Sequence, residues 1–350
     1  MVAVIPVDRL LVDSMIGHTP MRAVAVRVGG REHRVLLKLE GFNGAGGSIK
    51  ARTARGLLDR AAGEGVLVPG MTVVESSSGN LGVALSVQSR LRGLNAIVVA
   101  DPKTTEANME KLTKAGVRVE VVSRVDPDGS YLRSRLERVQ EICREEPRAL
   151  WLNQYESQAN PEIHYFSTGP EIVAAAPGAD AIFVACSTGG TVSGIAARVR
   201  AAGLATVVVP VDVPGSNAVR NGDGVRILPG IGSPLRSAFI RPDERRHAAV
   251  VDDREAIAAC RLLDHTVDIS VGGSSGAAFV AALRWLRDEP RGRTVVVVCA
   301  DGGENYDFSD AALRQEGIEE LPSLLHLVED VSSREQLGSR ALPFPPTHVN

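Results

Sequence analysis

The stretch Ala181-Ile182-Phe183-Val184-Ala185-Cys186-Ser187-Thr188-Gly189-Gly190-Thr191, which continues into residues 192–202, decides the fold. Its first five residues are apolar without polar alternation, which is typical of a parallel strand buried on both faces. The Ser/Thr/Gly loop then enters residues 192–202, a segment that predicts a helix. Free N–H groups and the dipole at a helix start favour a bound anion. Loop 187–191 is therefore a candidate phosphate site, although by itself it fits an ordinary capped turn equally well.

The same strand–loop–helix rhythm runs along most of the chain. It predicts an α/β fold of right-handed βαβ units with mostly parallel, twisted sheets flanked by helices. The predicted strands cover 72–75, 96–100, 117–122, 181–185, 206–211 and 294–299, and the predicted helices cover 81–91, 106–115, 130–144 and 192–202.

The rhythm also suggests two domains and a tail. Residues 41–155 are expected to form a smaller α/β domain, and residues 1–40 with 156–331 a larger one. The segment 212–242 is expected to be irregular, with a tight turn at 228–232. Residues 332–350 contain three prolines and little periodicity, so we expect a mobile or loosely docked tail.

A second loop, Ser76-Ser77-Ser78-Gly79-Asn80, also joins a predicted strand to a predicted helix. It can hold a substrate α-carboxylate, or it can simply cap the helix. Capping needs only one of its polar side chains, so capping alone does not account for Asn80. The loop is therefore a second candidate anion site.

Lys50 lies in the stretch Gly46-Gly47-Ser48-Ile49-Lys50-Ala51-Arg52, after a glycine-rich turn and at the start of an apparent helix. Most lysines are solvated surface residues, but a desolvated lysine has a lowered pKa and becomes a nucleophile or base. A reactive amine, a carboxylate cradle and a phosphate cradle together indicate a pyridoxal phosphate enzyme. Lys50 would hold the cofactor as a Schiff base, and Asn80 would donate to its phenolic oxygen.

The stretch Gly272-Gly273-Ser274-Ser275-Gly276 precedes a predicted apolar helix, 277–286. It fits a helix start whose small residues allow close packing. It also fits a cofactor site in which the Ser274 hydroxyl lies beside the pyridine nitrogen. A neutral hydroxyl there would keep the ring unprotonated and favour β-elimination over transamination.

Composition excludes several classes of protein. The formal net charge of -3 and the 4% aromatic content argue against nucleic-acid binding. No apolar run is long enough to span a membrane, and the N-terminus does not resemble a signal peptide. The cysteines are isolated and the histidines lack metal-ligand spacing, so we expect a cytoplasmic protein with no metal site.

These motifs, in this order, resemble the cysteine synthase and cystathionine β-synthase family of fold-type II pyridoxal phosphate enzymes, which are tryptophan synthase β-like. The resemblance runs from Ile16-Gly17-His18-Thr19-Pro20 to Gly303-Glu304-Asn305-Tyr306 and includes Asn160-Pro161-x-x-His164-Tyr165. It implies Lys50 as the Schiff-base lysine and a homodimer. It also implies a phosphate site of Ser187, Thr188, Gly189, Gly190 and Thr191, Ser274 on the pyridine nitrogen, and substrate binding by Ser77, Ser78, Gly79, Asn80 and Gln154.

Three positions depart from the cysteine synthase pattern: Ser187 replaces Gly, Leu81 replaces Thr and Tyr155 replaces Phe. They resemble the branch of the family that makes 2,3-diaminopropionate precursors for siderophores such as staphyloferrin B. This resemblance implies a β-replacement in which O-phospho-L-serine loses phosphate, through an aminoacrylate, and L-glutamate adds to give N-(2-amino-2-carboxyethyl)-L-glutamate. Ser187, Tyr155 and Arg135 are candidates for binding the anionic substrates, although Arg135 also fits a solvated position on its helix.

Three other functions use some of the same residues. A cysteine synthase would combine O-acetylserine or O-phosphoserine with sulfide, and a serine/threonine dehydratase would release ammonia without a second substrate. The third alternative is a nucleotide-binding module without catalysis. The chain lacks the Gly-x-Gly-x-x-Gly fingerprint of such modules and carries Lys50, which argues against it.

Overall fold

The computed structural model describes residues 14–224 and 226–333. Its strands are β1 (Met21–Val28), β2 (Arg31–Leu39), β3 (Thr72–Ser76), β4 (Asn95–Ala100), β5 (Arg118–Val121), β6 (Ala149–Trp151), β7 (Ala181–Ala185), β8 (Val207–Asp212), β9 (Ala249–Val250), β10 (Thr294–Cys299) and β11 (Asp330–Ser333). Its helices are α1 (Lys50–Gly63), α2 (Asn80–Leu91), α3 (Glu106–Ala115), α4 (Leu132–Glu145), α5 (Ala159–Phe166), α6 (Thr168–Ala175), α7 (Gly190–Ala201), α8 (Pro242–Arg245), α9 (Asp253–Val267), α10 (Gly273–Arg287) and α11 (Asp310–Gln315). Two 3-10 turns, Glu40–Phe42 and Gly303–Asn305, complete the set.

In the part of the chain that the structure describes, seven strands form the larger sheet, in the order β11-β1-β2-β10-β7-β8-β9. The pairs from β2 to β9 are parallel, whereas β1 pairs antiparallel with both β2 and β11. Because β2, β10, β7 and β8 run in one direction, the loops that follow them gather at one edge of the sheet. Ligands of open α/β sheets bind at this carboxyl edge.

The smaller sheet has four parallel strands among the described residues, in the order β5-β4-β3-β6. Its central strands, β3 and β4, are buried along almost their whole length, as their unbroken apolar runs require. Loop 76–80 leaves the carboxyl end of β3, and residues 152–155 leave the neighbouring β6.

Small residues let the helices pack closely on the larger sheet. Helix α10 is buried on nearly all sides and packs against α9. A Cβ at Gly276 would lie 2.0 Å from the carbonyl oxygen of Ala256, so only glycine fits this crossing. The small residues of 272–276 thus serve close packing, as one of the two interpretations of this stretch expects.

The α/β fold class and most of the predicted elements are confirmed, with shifts of one or two residues at their ends. The strand predicted at 117–122 is shorter, and the helix predicted at 130–144 begins at Leu132. The sequence pattern did not predict strands β1, β2 and β11, which form the two antiparallel pairs of the larger sheet. Ser332 and Ser333, assigned to the tail, pair with β1, and residues 334–350 lie outside the described part of the chain. The two-domain division stays a prediction.

Candidate active site

The loop before Lys50 is fastened to the carboxyl end of β10. The N–H of Ile49 donates to the carbonyl of Ala300 at 2.8 Å, and Ser48 forms a β-bridge with Asp301. The left-handed Gly46 and Gly47 bring the chain into this position, and a Cβ on Gly46 would lie 2.8 Å from that of Ala84. Lys50 is the first residue of α1. The contacts of the two preceding residues with the carboxyl edge of the larger sheet therefore fix its position.

The Lys50 amine lies in a desolvated place between the two sheets. Its Nζ is 3.5 Å from Oε1 of Gln154, the predicted substrate-binding residue that follows β6. Burial lowers the pKa of Lys50 to about 8, against the opposing effect of Glu75 and Cys186. Part of the amine population is therefore unprotonated near neutral pH, as a nucleophile or base requires.

Glu75, which the sequence analysis did not single out, is a buried carboxylate close to this amine. It accepts hydrogen bonds from the N–H groups of Ser76 and Gln154 and from Nε1 of Trp151, at 2.9, 3.2 and 3.3 Å. Burial raises its pKa to about 7, against these donors and the charge of Lys50. One charged residue at the end of an apolar run, Thr72-Val73-Val74-Glu75, was the available signal.

The loop at 187–191 has the shape of an anion cradle. Gly189 has a φ of 91° and precedes the first turn of α7. A Cβ on Gly189 would lie 2.1 Å from Oγ of Ser237, and one on Gly190 would lie 2.1 Å from Oδ1 of Asn160. The absence of side chains at both glycines therefore lets the loop hold this form, with the N–H groups of a twelve-residue helix at its centre.

Two chains of hydrogen bonds connect this cradle to the neighbourhood of Lys50. The amide of Asn160 donates to the carbonyl of Gln154 at 2.7 Å and to Oγ1 of Thr188 at 3.1 Å. Nε2 of His164 lies 3.2 Å from the hydroxyls of both Thr53, on α1, and Thr191. These contacts give a structural reason for the motif Asn160-Pro161-x-x-His164.

The ring of His164 is neutral in this position. Burial lowers its pKa well below the ordinary value, and the charges of Arg52 and Lys50 lower it further. Its Nδ1 lies 2.9 Å from the Thr168 hydroxyl, so both ring nitrogens have hydroxyl partners. His164 thus orients the hydroxyl of Thr191 without adding a positive charge.

In the loop at 76–80, one polar side chain stabilises the loop itself and another contacts a different segment of the chain. Oγ of Ser77 accepts from the N–H groups of Gly79 and Gly82 at 3.2 and 3.0 Å, so it caps the start of α2. Ser78 remains partly exposed. Asn80 donates from Nδ2 to Oδ2 of Asp301 at 2.7 Å, which brings the loop to the carboxyl end of β10.

Ser274 lies in the first turn of α10 and is 3% exposed. A serine hydroxyl at this position can donate to a ligand acceptor such as a ring nitrogen, and this role of Ser274 stays a prediction.

Arg135 is a buried residue of α4, the helix that packs against the smaller sheet, so it is not a solvated surface arginine. Its Nε lies 3.3 Å from Oδ2 of Asp101, yet no acceptor among the described residues meets hydrogen-bond geometry there. Burial raises the pKa of Tyr155, and the positive charge of Arg135 acts in the opposite direction. Arg135 and Tyr155 therefore lie in one region, with guanidinium donors available to an anion.

Residues 12–301 match the family described as pyridoxal-phosphate dependent enzymes. The chain belongs to this family. The desolvated lysine and the glycine cradle fit a cofactor that has one aldehyde and one phosphate.

Relatives narrow the class of this pyridoxal phosphate enzyme. N-(2-amino-2-carboxyethyl)-L-glutamate synthase from Ralstonia nicotianae is 41% identical over 292 residues, 83% of this chain and 86% of that protein. The enzyme of the same name from Cupriavidus metallidurans is 39% identical over 295 residues, with the same two coverages. The chain is a pyridoxal-phosphate-dependent transferase of amino-acid biosynthesis, as predicted.

Among solved structures, a hydrogen sulfide-producing enzyme in complex with an α-aminoacrylate intermediate is similar, with a TM-score of 0.81 and 25% identity. The match covers 93% of this chain and 97% of that one. The predicted fold-type II architecture is therefore confirmed. In the described part of this pyridoxal phosphate enzyme, no helix has the length and apolarity to cross a membrane.

Proposed function

We propose that the enzyme replaces the phosphate of O-phospho-L-serine with the α-amine of L-glutamate, giving N-(2-amino-2-carboxyethyl)-L-glutamate and phosphate. The observation that carries this proposal is the buried Arg135, whose Nε–H has no hydrogen-bond partner among the described residues. Arg135 forms an ion pair with Asp101 at 3.3 Å, but a buried N–H that lacks a hydrogen-bond acceptor is costly unless a ligand supplies one. The names of the two relatives support the same reaction.

Both substrates are anionic, and the site has donors for them on two sides. Loop 76–80 offers the N-terminus of α2 to the amino-acid carboxylate. Ser187, Tyr155 and Arg135 are proposed to bind the phosphate of the first substrate or a carboxylate of the second. Arg135 suits either group because its planar fork makes paired hydrogen bonds to oxyanions.

Pyridoxal phosphate, when bound, supplies an electron sink for negative charge at the substrate α-carbon. We propose that Lys50 carries the cofactor between turnovers and moves the α-proton when substrate displaces it. Gln154, at 3.5 Å from Nζ, orients the amine, and Glu75 favours its protonated form through its charge. Asn80 and Ser274 are proposed to bind the phenolic oxygen and the ring nitrogen, and 187–191 the phosphate.

The test is to incubate the purified protein with O-phospho-L-serine and L-glutamate and to record the mass spectrum of the products. The proposal expects one condensation product and one phosphate for each serine derivative consumed. Borohydride reduction of the resting enzyme should attach the cofactor to the peptide that contains Lys50, and Lys50→Ala should lack this adduct and the yellow colour.

Cysteine synthesis is the second candidate, because the hydrogen sulfide-producing enzyme shares the fold. Cysteine formed from sulfide, with no condensation product from glutamate, would establish this alternative. Ammonia release without any nucleophile would establish the dehydratase. Either outcome leaves the assignment of Lys50 intact, since all three reactions need the same amine.

We also propose that the enzyme is a cytoplasmic homodimer whose product feeds 2,3-diaminopropionate synthesis for a siderophore or antibiotic. The family resemblance supports the dimer. Light scattering on the purified protein should give a mass near twice the 37.0 kDa of one chain, and a mass of one chain would contradict it.

A further inference from the structure

Asp301 is a buried carboxylate at the point where the three predicted cofactor-binding segments meet. It follows β10 and is 3% exposed. Its backbone bridges Ser48, two residues before Lys50, and its carbonyl accepts from the N–H of Gly272 at 3.3 Å, two residues before Ser274. Its side chain contacts Asn80. None of the motifs in the sequence analysis assigns it a role.

The two carboxylate oxygens of Asp301 have different surroundings. Oδ2 accepts from Nδ2 of Asn80 at 2.7 Å and from the hydroxyl of Tyr306 at 2.6 Å. Oδ1 is buried and has no hydrogen-bond partner among the described residues. A Cβ at Gly272 would lie 2.2 Å from Oδ1, so the glycine makes room for the carboxylate. The site is therefore built to hold a carboxylate in one position.

An anchored amide is a better-defined hydrogen-bond donor than a free one. One N–H of the Asn80 amide points to Oδ2 of Asp301, which fixes the plane of the amide and distinguishes its nitrogen from its oxygen. The second N–H then points in one direction only. Burial raises the pKa of Asp301 to about 6, so at neutral pH the anchor is mostly ionised.

We propose that Asp301 is a positioning residue that anchors the Asn80 amide and thereby sets the hydrogen bond to the phenolic oxygen of the bound cofactor. This inference rests on the proposed role of Asn80. A donor at the phenolic oxygen favours the form of the bound cofactor in which that oxygen is negative, and this form absorbs visible light. The ratio of the visible to the near-ultraviolet band of the resting enzyme therefore reports on the anchor.

The test measures this ratio for the holoenzyme and for Asp301→Ala, Asn80→Ala and the double variant, all without substrate. Asp301→Ala should lower the visible band in the same direction as Asn80→Ala. The double variant should show the Asn80→Ala spectrum with no further change, because Asp301 acts through Asn80. An Asp301→Ala spectrum equal to that of the wild type, or shifts that add in the double variant, would overturn the assignment.

Tyr306→Phe is the matched control. It removes the other hydrogen bond to the same Oδ2 atom and should lower the thermal midpoint while leaving the band ratio unchanged. A change in the ratio as large as that in Asp301→Ala would show that any damage to the cluster has this effect. Asp301→Asn retains an acceptor oxygen and should restore most of the ratio; a spectrum like that of the alanine variant would reject the anchor.

Asp301→Ser gives the same comparison if the alanine variant does not fold, because its shorter side chain keeps a polar group but withdraws the acceptor from Asn80. The resting spectrum needs no substrate. The spectroscopic result is therefore independent of whether the enzyme uses L-glutamate. An unchanged spectrum would reject the role of Asp301 without contradicting the proposed reaction. The dissociation constant of the cofactor should rise on the order of tenfold in Asp301→Ala, as for one lost charge-assisted hydrogen bond.

Discussion

Arg52, two residues after Lys50, donates hydrogen bonds of 2.7 and 2.9 Å to the two carboxylate oxygens of Glu40. Both side chains are almost fully buried. Arg52 also donates to Glu171, and Lys38 completes the cluster by donating to Glu171 at 2.6 Å. The pair joins the first turn of α1 to the end of β2, so it holds the lysine-bearing helix against the larger sheet.

Replacing Glu40 with Ala should destabilise the protein by about 3–5 kcal/mol, because it leaves a buried guanidinium with one partner fewer. Thermal and urea unfolding of the apo and holo protein measure this change. Glu110→Ala removes an exposed ion pair with Lys114 and is the matched control, for which we expect almost no change. Equal effects of the two substitutions would contradict the stabilising role of the buried pair.

The amine of Lys50 should titrate near pH 8 in the protein without cofactor, whereas an unperturbed lysine titrates near about 10.4. Trace acetylation followed by peptide mass spectrometry measures its reactivity against pH, and Lys50→Ala identifies the peptide. Because burial disfavours the ammonium, this group lowers stability below pH 8. This destabilisation should diminish as the pH rises from about 8 to about 10.4, so the free energy of unfolding should increase over that range. A reactivity midpoint above pH 10 would exclude the desolvated amine.

Glu75→Gln should lower the pKa of Lys50 further, since the negative charge of Glu75 favours the ammonium form. The same acetylation profile measures the shift. Trp151→Phe is the control, because it removes a hydrogen bond to Glu75 without changing the charge. It should leave the Lys50 profile nearly where it was. A profile that moves to higher pH in Glu75→Gln would rule out this electrostatic contribution.

Gly189→Ala should weaken cofactor binding on the order of tenfold or more, because the new Cβ would collide with Ser237 and deform the cradle. Equilibrium dialysis with pyridoxal phosphate measures the dissociation constant. Gly203→Ala is matched in backbone conformation, with a φ of 65° and no atom near the new Cβ. Both carry the strain of about 1–2 kcal/mol for a left-handed residue, so only the first should lose cofactor.

Arg135→Ala should raise the KM for O-phospho-L-serine by roughly 10- to 100-fold, the effect of losing charge-assisted hydrogen bonds. The KM for O-acetyl-L-serine, which lacks the phosphate, should change much less. Arg133→Ala, two residues away on the exposed face of α4, is the control and should behave as the wild type. Unchanged kinetics with the phosphate substrate would remove Arg135 from the binding site.

The parts of the fold that follow from local pattern were predictable. Buried parallel strands such as β7 and β10 leave unbroken apolar runs, and their loops carry glycine and hydroxyl residues that mark a helix start. Strands β1 and β2 lack such a run, because charged residues such as Arg22, Arg27 and Lys38 lie within them. Strand β11 pairs with β1, about 300 residues away along the sequence, and no local signal announces such a contact.

The same distinction applies to the site. Lys50 and the loops at 76–80 and 187–191 carry their signal in neighbouring residues. Glu75 ends an apolar run and His164 lies in a quoted motif, but neither signal names the partner of the residue. The roles of Glu75, His164 and Asp301 depend on partners from other segments: the Lys50 amine, the hydroxyls of Thr53 and Thr191, and the amide of Asn80. Such contacts between distant segments are properties of the folded molecule.

The strand Asp330–Ser333 has a consequence for how one molecule meets another. Within the described residues, the larger sheet ends at this four-residue strand on one side and at the two-residue β9 on the other. Short terminal strands offer few free backbone groups to a neighbouring chain. Removing the last strand would turn the eight-residue β1 into the border of the sheet. In a chain cut before residue 330, β1 would then offer its free backbone groups to a strand of another molecule.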